Sequence, residues 1–447
     1  MVNIYKSKAK AKSPLSQVGL TVERWDHEAQ GIGYHQGKIC FIDGALPGET
    51  VRVQLTEQKA SHSKGRVLKV LNPALERIAP VCRFAGTCGG CQLHYVDASN
   101  AHKLKQQGLE HLLRHQLKLQ DIPWQPTLTA NAQGYRRKAR IGVWYDQKTR
   151  QFTVGFRRSA SYEITPVSEC YVLSPVIAPI FAVLTATLPQ LKQGSAITHV
   201  EVLDADGQAF VIVRHVKALT IADRQLLCEA WPNACWMGQP DSGALEHWQG
   251  KEIWPRYTLT IQPNSNLQLS FKPTDFIQVN ATINQAMVQQ ALDWLDPQPG
   301  ENILDLYCGI GNFSLAFAQA GARVVGIEGV QAMVDIARAN AEQNHLAQVE
   351  FAQADLHLPW PATGWTRQTY HKVVLDPARA GALGAMEQIV KLKPAQILYV
   401  SCHPTTFARD AKVLLDKGYS LIKISLMDMF PFTSHLELMA LFQHTRQ

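Results

Sequence analysis

The change of hydrophobic period near residue 270 constrains this chain most. From there to the end of the 447-residue sequence, short apolar runs alternate with segments of helical period. Residues 302–307, 322–327, 349–352, 372–375 and 396–401 read as buried strands, with helices over 313–320 and 332–344. Strands that are apolar along their whole length and separated by helices pair in parallel, which predicts a doubly wound sheet. Runs over 421–426 and 436–442 add a late strand pair.

Upstream the pattern differs. Residues 20–25, 38–42, 50–55 and 65–70 are short β-type runs, with turn signals at Gly31-Ile-Gly33, Asp43-Gly44 and Pro47-Gly48. They predict a small closed barrel of the OB type over 14–72, ended by Asn72-Pro73, a shape that presents a basic face to nucleic acid. Residues 97–119 read as a helix, with leucines at 109, 112, 113 and 117. The stretch 125–265 alternates in strand fashion and has no phosphate-binding loop. The reading is therefore multidomain α/β: a basic tail (1–13), the barrel (14–72), a central β-rich domain (73–93 and 125–265), and a C-terminal Rossmann-like domain (94–124 and 266–447). No apolar run reaches the roughly 18 residues of a spanning helix, and Lys6, Lys8, Lys10 and Lys12 are followed by no apolar core, so the expected location is the cytoplasm.

Charge is unevenly spread. The first 140 residues hold 21 Lys/Arg against 10 Asp/Glu, so of the whole-chain +7 they carry +11 and the remainder −4. A basic front half joined to a near-neutral back half predicts a polyanionic partner. Its densest cluster is Tyr135-Arg136-Arg137-Lys138-Ala139-Arg140, followed by Phe156-Arg157-Arg158, where cations interleaved with aromatics suit phosphate neutralisation and base stacking. An exposed strand edge is the alternative reading of that cluster.

Nine cysteines in a chain of this kind argue against a disulfide framework. Three fall in Cys82-x5-Cys88-Gly-Gly-Cys91, spaced to aim three thiolates at one centre, and Cys170 is the candidate fourth ligand. Zinc favours paired C-x2-C units, whereas three clustered cysteines plus a remote one suit iron and sulfide. The spacing leaves both open, with His94 a rival ligand for zinc.

The C-terminal domain carries the reaction chemistry. Leu304-Asp-Leu-Tyr-Cys-Gly-Ile-Gly-Asn-Phe313 runs from a strand into a glycine turn, bringing Asp305 and Asn312 to the sheet's carboxyl edge. Glu328 ends the next strand, where a carboxylate can take both hydroxyls of a ribose, and Asp355 ends the third, within reach of an adenine amino group. A missing third glycine and the lack of a phosphate-cradling lysine favour S-adenosylmethionine over NAD or ATP. Asp376 sits on the proline-stiffened loop Asp376-Pro-Ala-Arg379, suited to grip a flat base. Cys402, in Val-Ser-Cys402-His-Pro404, ends the following strand. A thiolate there can add to carbon 6 of a pyrimidine, making carbon 5 nucleophilic toward a sulfonium methyl. Glu437, at the start of the last apolar strand, is the candidate base for the carbon 5 proton.

Asp-Leu-Tyr-Cys-Gly-Ile-Gly-Asn-Phe, Phe276-Ile-Gln-Val-Asn280, Leu-Asp-Pro-Ala-Arg-Ala-Gly and Val-Ser-Cys-His-Pro together resemble the S-adenosylmethionine-dependent RNA uracil-5-methyltransferases. The resemblance covers nearly the whole chain. It implies that the barrel is a TRAM domain, that Cys82, Cys88, Cys91 and Cys170 hold a 4Fe-4S cluster, and that the C-terminal domain is a class I methyltransferase. Gln278, Tyr307, Asn312, Glu328, Asp355 and Asp376 would line the cofactor and base pocket, Cys402 would be the nucleophile and Glu437 the base. Barrel and cluster together are similar to the branch that modifies 23S ribosomal RNA at uracil 1939. The sequence departs from the family in having Asp355 where Asn is frequent and Ala378 where a second Pro is frequent. Methylation at another 23S or transfer RNA uracil, cytosine-5 methylation, and a non-catalytic RNA-binding or ribosome-assembly factor are the competing readings. The first differs only in target, the second expects a further cysteine in the Asp376 loop, and the third expects cofactor binding without a methylated product.

Overall fold

The computed structural model describes residues 16–241, 243–249, 253–262, 265–362 and 364–445; the basic tail assigned to 1–13 lies outside the described residues. Internal contacts group the chain into two compact units, one holding residues up to Ala79 with Tyr95–His111, the other Pro80–His94 and everything from Leu112 onward.

The first unit is built on β1 (Gln17–Thr21), β2 (Arg24–Trp25), β3 (Gly31–His35), β4 (Lys38–Asp43), β5 (Thr50–Gln58) and β6 (His62–Asn72), in the order β1-β5-β6-β4-β3-β2. Alternating inward residues, among them Val18, Leu20, Cys40, Ile42, Val51, Val53 and Leu55, fill its core. The sheet curls until the chain after β1 meets β3, where the Glu23 amide donates to the Ile32 carbonyl at 2.7 Å. This corrects the reading of Gly31-Ile-Gly33 as a turn. These residues are strand, and the glycines mark close approach: a Cβ on Gly33 would lie 2.6 Å from the Thr21 carbonyl oxygen. Fully buried Glu49 accepts from Arg77 Nε (2.5 Å) and Nη2 (2.8 Å), and the Arg77 guanidinium stacks on Tyr95 at 4.6 Å, tying residues 77 and 95 to the barrel. The helix α1 (Ala98–Leu117) is drawn in at Gly108, where an added Cβ would stand 2.3 Å from the Asp26 carbonyl oxygen. Residues 95–111 thus pack with the barrel, although sequence spacing placed 94–124 with the C-terminal domain.

The second unit contains two seven-stranded sheets. In the first, β7 (Lys138–Asp146), β8 (Gln151–Arg157), β9 (Ile164–Pro166), β10 (Ile197–Ala205), β11 (Gln208–His215), β12 (Cys235–Pro240) and β13 (Glu246–His247) lie in the order β13-β12-β11-β10-β7-β8-β9. Two helices missed in the sequence pack here, α2 (Ile180–Thr187) and α3 (Ile221–Ala230). α2 buries Ile180, Phe181, Leu184 and Thr187 and has little polar face, so it leaves no helical period to read.

A hairpin of β14 (Arg256–Gln262) and β15 (Ser265–Ser270) leads through α4 (Ala281–Leu295) into the C-terminal sheet. Its elements are β16 (Asn302–Leu306), α5 (Ser314–Gln319), β17 (Arg323–Glu328), α6 (Gln331–Gln343), β18 (Val349–Gln353), β19 (Lys372–Leu375), α7 (Leu383–Leu392), β20 (Gln396–Ser401), α8 (Pro404–Asp416), β21 (Tyr419–Met427) and β22 (Glu437–His444). The order β18-β17-β16-β19-β20-β22-β21 reverses direction between β16 and β19, the place where open α/β sheets bind ligands. Six strands run in one direction, and β22 inserts antiparallel between β20 and β21, so the expected late strand pair is present. Among the described residues no helix is long and apolar enough to cross a membrane.

Gly108→Val should force α1 off the barrel and cost about 1–3 kcal/mol, the range for overpacking a filled interface. Urea unfolding should show the loss, with hydrogen exchange accelerated in β1–β6 and unchanged in β16–β22.

Candidate active site

The carboxyl edge of the parallel sheet gathers the predicted residues into a row. From one side to the other, Asp355 lies just past β18, Glu328 ends β17, Tyr307 follows β16, Asp376 follows β19 and Cys402 follows β20. With strands about 4.8 Å apart, the four steps from Asp355 to Cys402 span about 19 Å. Glu328 is oriented by its own turn: one carboxylate oxygen accepts from the Gly309 amide at 3.2 Å, the other from the Val330 amide at 3.0 Å. Asp355 is exposed and accepts from the His357 amide at 2.9 Å. Tyr307 adopts a left-handed backbone, φ +62°, and its buried hydroxyl lacks a partner among the described residues. Below it Asp305 is buried, taking a hydrogen bond from Ser314 on one oxygen and, among the described residues, none on the other, and burial pushes its carboxyl up to about 7.

Cys402 and Glu437 meet through strand register. β20 and β22 pair Ser401 with Leu438, so the next antiparallel step sets Cys402 opposite Glu437. The thiol is half-buried at a fixed corner: the His403 amide donates to the Ser401 hydroxyl at 3.2 Å, and His403 caps α8 by accepting from the Thr406 amide. Burial, then the Glu437 and Asp376 carboxyls, push the thiol up to about 11, while Arg379 draws it down. Glu437 is raised to about 8 by burial and by Asp376, again opposed by Arg379. Burial holds Asp376 at about 7. One cation thus opposes two of the three groups that resist ionisation, Cys402 and Glu437. Arg379, whose guanidinium meets His435 Nδ1 at 3.0 Å, was quoted in the sequence without a role. Its position three residues past a strand-end acid on a proline-stiffened loop was the available signal. That loop is anchored by buried Asp410, which accepts from the Ala382 amide at 2.7 Å and the Tyr399 hydroxyl at 2.8 Å.

Two sequence assignments change character. The Asn312 side-chain oxygen accepts from the Tyr257 hydroxyl (2.8 Å) and the Asn284 amide (3.1 Å), and its nitrogen donates to Asn284 at 3.0 Å, leaving one N–H for a ligand. The basic run 136–140 is not an open cationic patch. Arg137 is buried, stacks over Tyr257 at 4.6 Å and donates to the Gln278 carbonyl at 2.8 Å, while Lys138 donates to the Pro273 and Asp275 carbonyls. These cations satisfy loop carbonyls and so deliver half-buried Gln278, two residues before the Asn280 cap of α4. Arg140, Arg157 and Arg158 are the members left exposed.

The four predicted cysteine ligands are free thiols lining one cavity of about 320 Å³, together with Tyr135, Arg136, Phe430, Thr433 and His435. Gly89 lets their loop dock on β8: its amide donates to the Arg157 carbonyl at 2.9 Å, where a Cβ would sit 2.9 Å from that oxygen. Arg83 pairs with Glu169 at 3.2 Å, drawing the loop toward Cys170. Burial and the neighbouring thiols push Cys91 up to about 12. Among the described residues no three His, Cys, Asp or Glu side chains form a group that could hold a metal ion. His94 is buried against Phe432, rings stacked at 4.4 Å.

A doubly wound sheet with acids along its carboxyl edge and a cysteine facing a glutamate suits methyl transfer, and similarity to known proteins places the chain among the methyltransferases. The family model described as tRNA (Uracil-5-)-methyltransferase matches residues 256–356 and 364–445, and that of the TRAM domain matches 16–68. A Shewanella halifaxensis protein named 23S rRNA (uracil(1939)-C(5))-methyltransferase RlmD is 43% identical over 99% of both chains, and a Vibrio cholerae protein of the same name is 42% identical over 95% of both. The fold is similar to that of the Pyrococcus abyssi tRNA (uracil-54, C5)-methyltransferase in complex with S-adenosyl-L-homocysteine, with TM-score 0.70 and 20% identity over 95% of this chain and 100% of that one. The chain belongs to the RNA uracil-5-methyltransferases, in the 23S rRNA (uracil(1939)-C(5))-methyltransferase family.

Arg137→Met should remove a charge-assisted hydrogen bond in a buried site and cost about 2 kcal/mol of stability. Because it touches Gln278 rather than solvent, the variant should also bind S-adenosylmethionine more weakly, with the salt slope of RNA binding unchanged; calorimetry and filter binding measure the two effects.

Proposed function

We propose that this chain methylates carbon 5 of uracil 1939 in 23S ribosomal RNA, using S-adenosylmethionine and a covalent link from Cys402 to carbon 6. The observation that carries the reading is Cys402 facing Glu437 across β20 and β22, in line with Asp376, Tyr307 and Glu328 on one sheet edge. S-adenosylmethionine supplies an electrophilic sulfonium methyl. Glu328 suits the ribose hydroxyls, Asp355 the adenine amino group, and Gln278, Tyr307 and the free N–H of Asn312 the remaining polar atoms. Asp376 suits a flat uracil edge.

Once ionised, the Cys402 sulfur bonds to carbon 6, and the electrons of the carbon 5–carbon 6 double bond move toward the carbonyl as an enolate. Carbon 5 of the enolate takes the methyl, and the sulfonium becomes a thioether. Glu437 carboxylate then removes the carbon 5 proton, the double bond re-forms and the thiolate leaves. The target must be unstacked, since a paired uracil hides carbon 6.

For RNA, β5 and β6 offer a cationic ladder: Arg52, Lys64, Arg66 and Lys69 are exposed, and Arg52 stands opposite Lys69. Like charges directly across a ladder are unfavourable alone and are relieved by phosphate. Cys82, Cys88, Cys91 and Cys170 would hold a 4Fe-4S cluster. The four thiols line one cavity, and three clustered cysteines with a remote fourth suit iron and sulfide better than the paired C-x2-C units that zinc favours. A cluster there supplies a cross-link between loop and sheet; the methyl transfer balances without electron transfer.

Cys402→Ala should abolish methyl transfer, and RNA carrying 5-fluorouridine should trap the wild-type enzyme, since fluorine at carbon 5 cannot leave as a proton. Full activity of the variant, read by mass spectrometry of digested 23S RNA, would defeat the scheme. Cys402 and Glu437 must both be ionised to act and both are raised, so turnover should climb steeply with pH up to about 8 and go on climbing toward about 11. Arg379→Ala should push that rise to higher pH. Anaerobically purified protein should contain iron and sulfide; stoichiometric zinc would replace the cluster assignment.

A further inference from the structure

The segment between β21 and β22 links the cysteine cavity to the catalytic edge. At its centre Phe432 has φ +63°, a left-handed backbone that is costly for a residue with a Cβ and persists only where surroundings over-determine it. The surroundings here are the residues that directly follow two of the four cysteines. After Cys91, the Gln92 and Leu93 amides both donate to the Phe432 carbonyl, at 2.9 and 2.8 Å. His94 then stacks on the Phe432 ring at 4.4 Å and 19°. After Cys170, Tyr171 meets the same ring edge-on at 5.8 Å. The Tyr135 hydroxyl donates to the preceding Pro431 carbonyl at 3.3 Å.

On the other side the turn is short and bonded through to the site. The Thr433 amide and hydroxyl both donate to the Phe430 carbonyl, and the His435 amide donates to the Thr433 hydroxyl at 3.3 Å. His435 reaches Arg379, and two residues later Glu437 opens β22 opposite Cys402. Four residues therefore separate the Phe432 clamp from Glu437.

We infer that Phe432 is a positioning residue for Glu437: the cysteine loop holds its left-handed backbone, and through it sets the distance from the Glu437 carboxylate to the carbon 5 proton. The inference rests on the covalent scheme proposed above and assigns the cysteine lobe to one step of it. Loss of the clamp slows proton removal, the step that re-forms the carbon 5–carbon 6 double bond and expels the Cys402 thiolate. Addition of sulfur and transfer of the methyl precede that step and use groups held by other strands.

The test uses full-length holoenzyme and a 23S RNA fragment containing unmodified uridine at position 1939. Phe432→Ala and His94→Ala should lower kcat by about 10-fold or more, as misplacement of a general base does. The KM for S-adenosylmethionine and the iron content should stay unchanged. The diagnostic readout is the denaturation-resistant protein–RNA adduct during turnover, whose mass should include the transferred methyl and whose steady-state fraction should rise severalfold, as in Glu437→Gln. His94→Phe and Phe432→Tyr, which keep the stacked rings, should restore wild-type kcat and adduct level. A fall in kcat with no methylated adduct, or unchanged kcat in both alanine variants, would overturn the inference. Failure of the wild-type enzyme to be trapped by 5-fluorouridine RNA would instead remove the covalent scheme, so the two failures are distinguishable.

Discussion

In a wholly parallel sheet every strand ends at the edge where ligands bind, and what stands there is whatever follows each strand. β22 runs the other way. At that same edge it begins, and antiparallel register brings its first residue, Glu437, beside Cys402, the first residue after β20. The proposed nucleophile and base, 35 residues apart in sequence, thereby stand at the ends of two strands joined by backbone hydrogen bonds. The β21–β22 pair behind them, with Ile424, Leu438, Ala440 and Phe442 buried, makes that register costly to slip.

The site pays for this closeness with reluctant charges. Asp305, Asp376 and Glu437 all sit where burial disfavours the carboxylate, and Cys402 where it disfavours the thiolate. Arg379 pulls against this at Cys402 and Glu437. A positively charged ligand entering beside these acids would favour their ionised forms. Asp410 and Tyr399, buried beneath the Asp376–Gly381 loop, keep Arg379 where that balance holds; a Cβ on Gly381 would strike the Asp410 carboxylate at 2.6 Å.

The central sheet serves the same edge from a distance. Its first strand spends Arg137 and Lys138 on the carbonyls of the segment carrying Gln278. The cysteine loop docked on β8 grips the turn before Glu437 through Gln92, Leu93 and His94. Charge in this region therefore works mainly as an internal fastening, and the exposed cations of β5 and β6 are the stronger candidates for contact with RNA phosphate.

Much of this was legible beforehand. Period-2 and βα alternation marked the strands, strand-end positions named Glu328, Asp355, Asp376 and Cys402, and cysteine spacing nominated the four thiols that line one cavity. These signals are local, because a strand's carboxyl end is set by where its apolar run stops. What the chain could not declare locally is which strands become neighbours. The glycines of β3 looked like a turn because the partner that crowds them lies in another strand, α2 looked like nothing because it is apolar on nearly every face, and Arg137 looked like an RNA contact because its carbonyl partners are some 140 residues away. The left-handed Phe432 carried no signal, since an aromatic residue there is tolerated only by the contacts made around it. Sequence alone determined most of the strands and the residue types at their ends; tertiary pairing decided which ends face each other, because register, burial and strain exist only between segments brought together by folding.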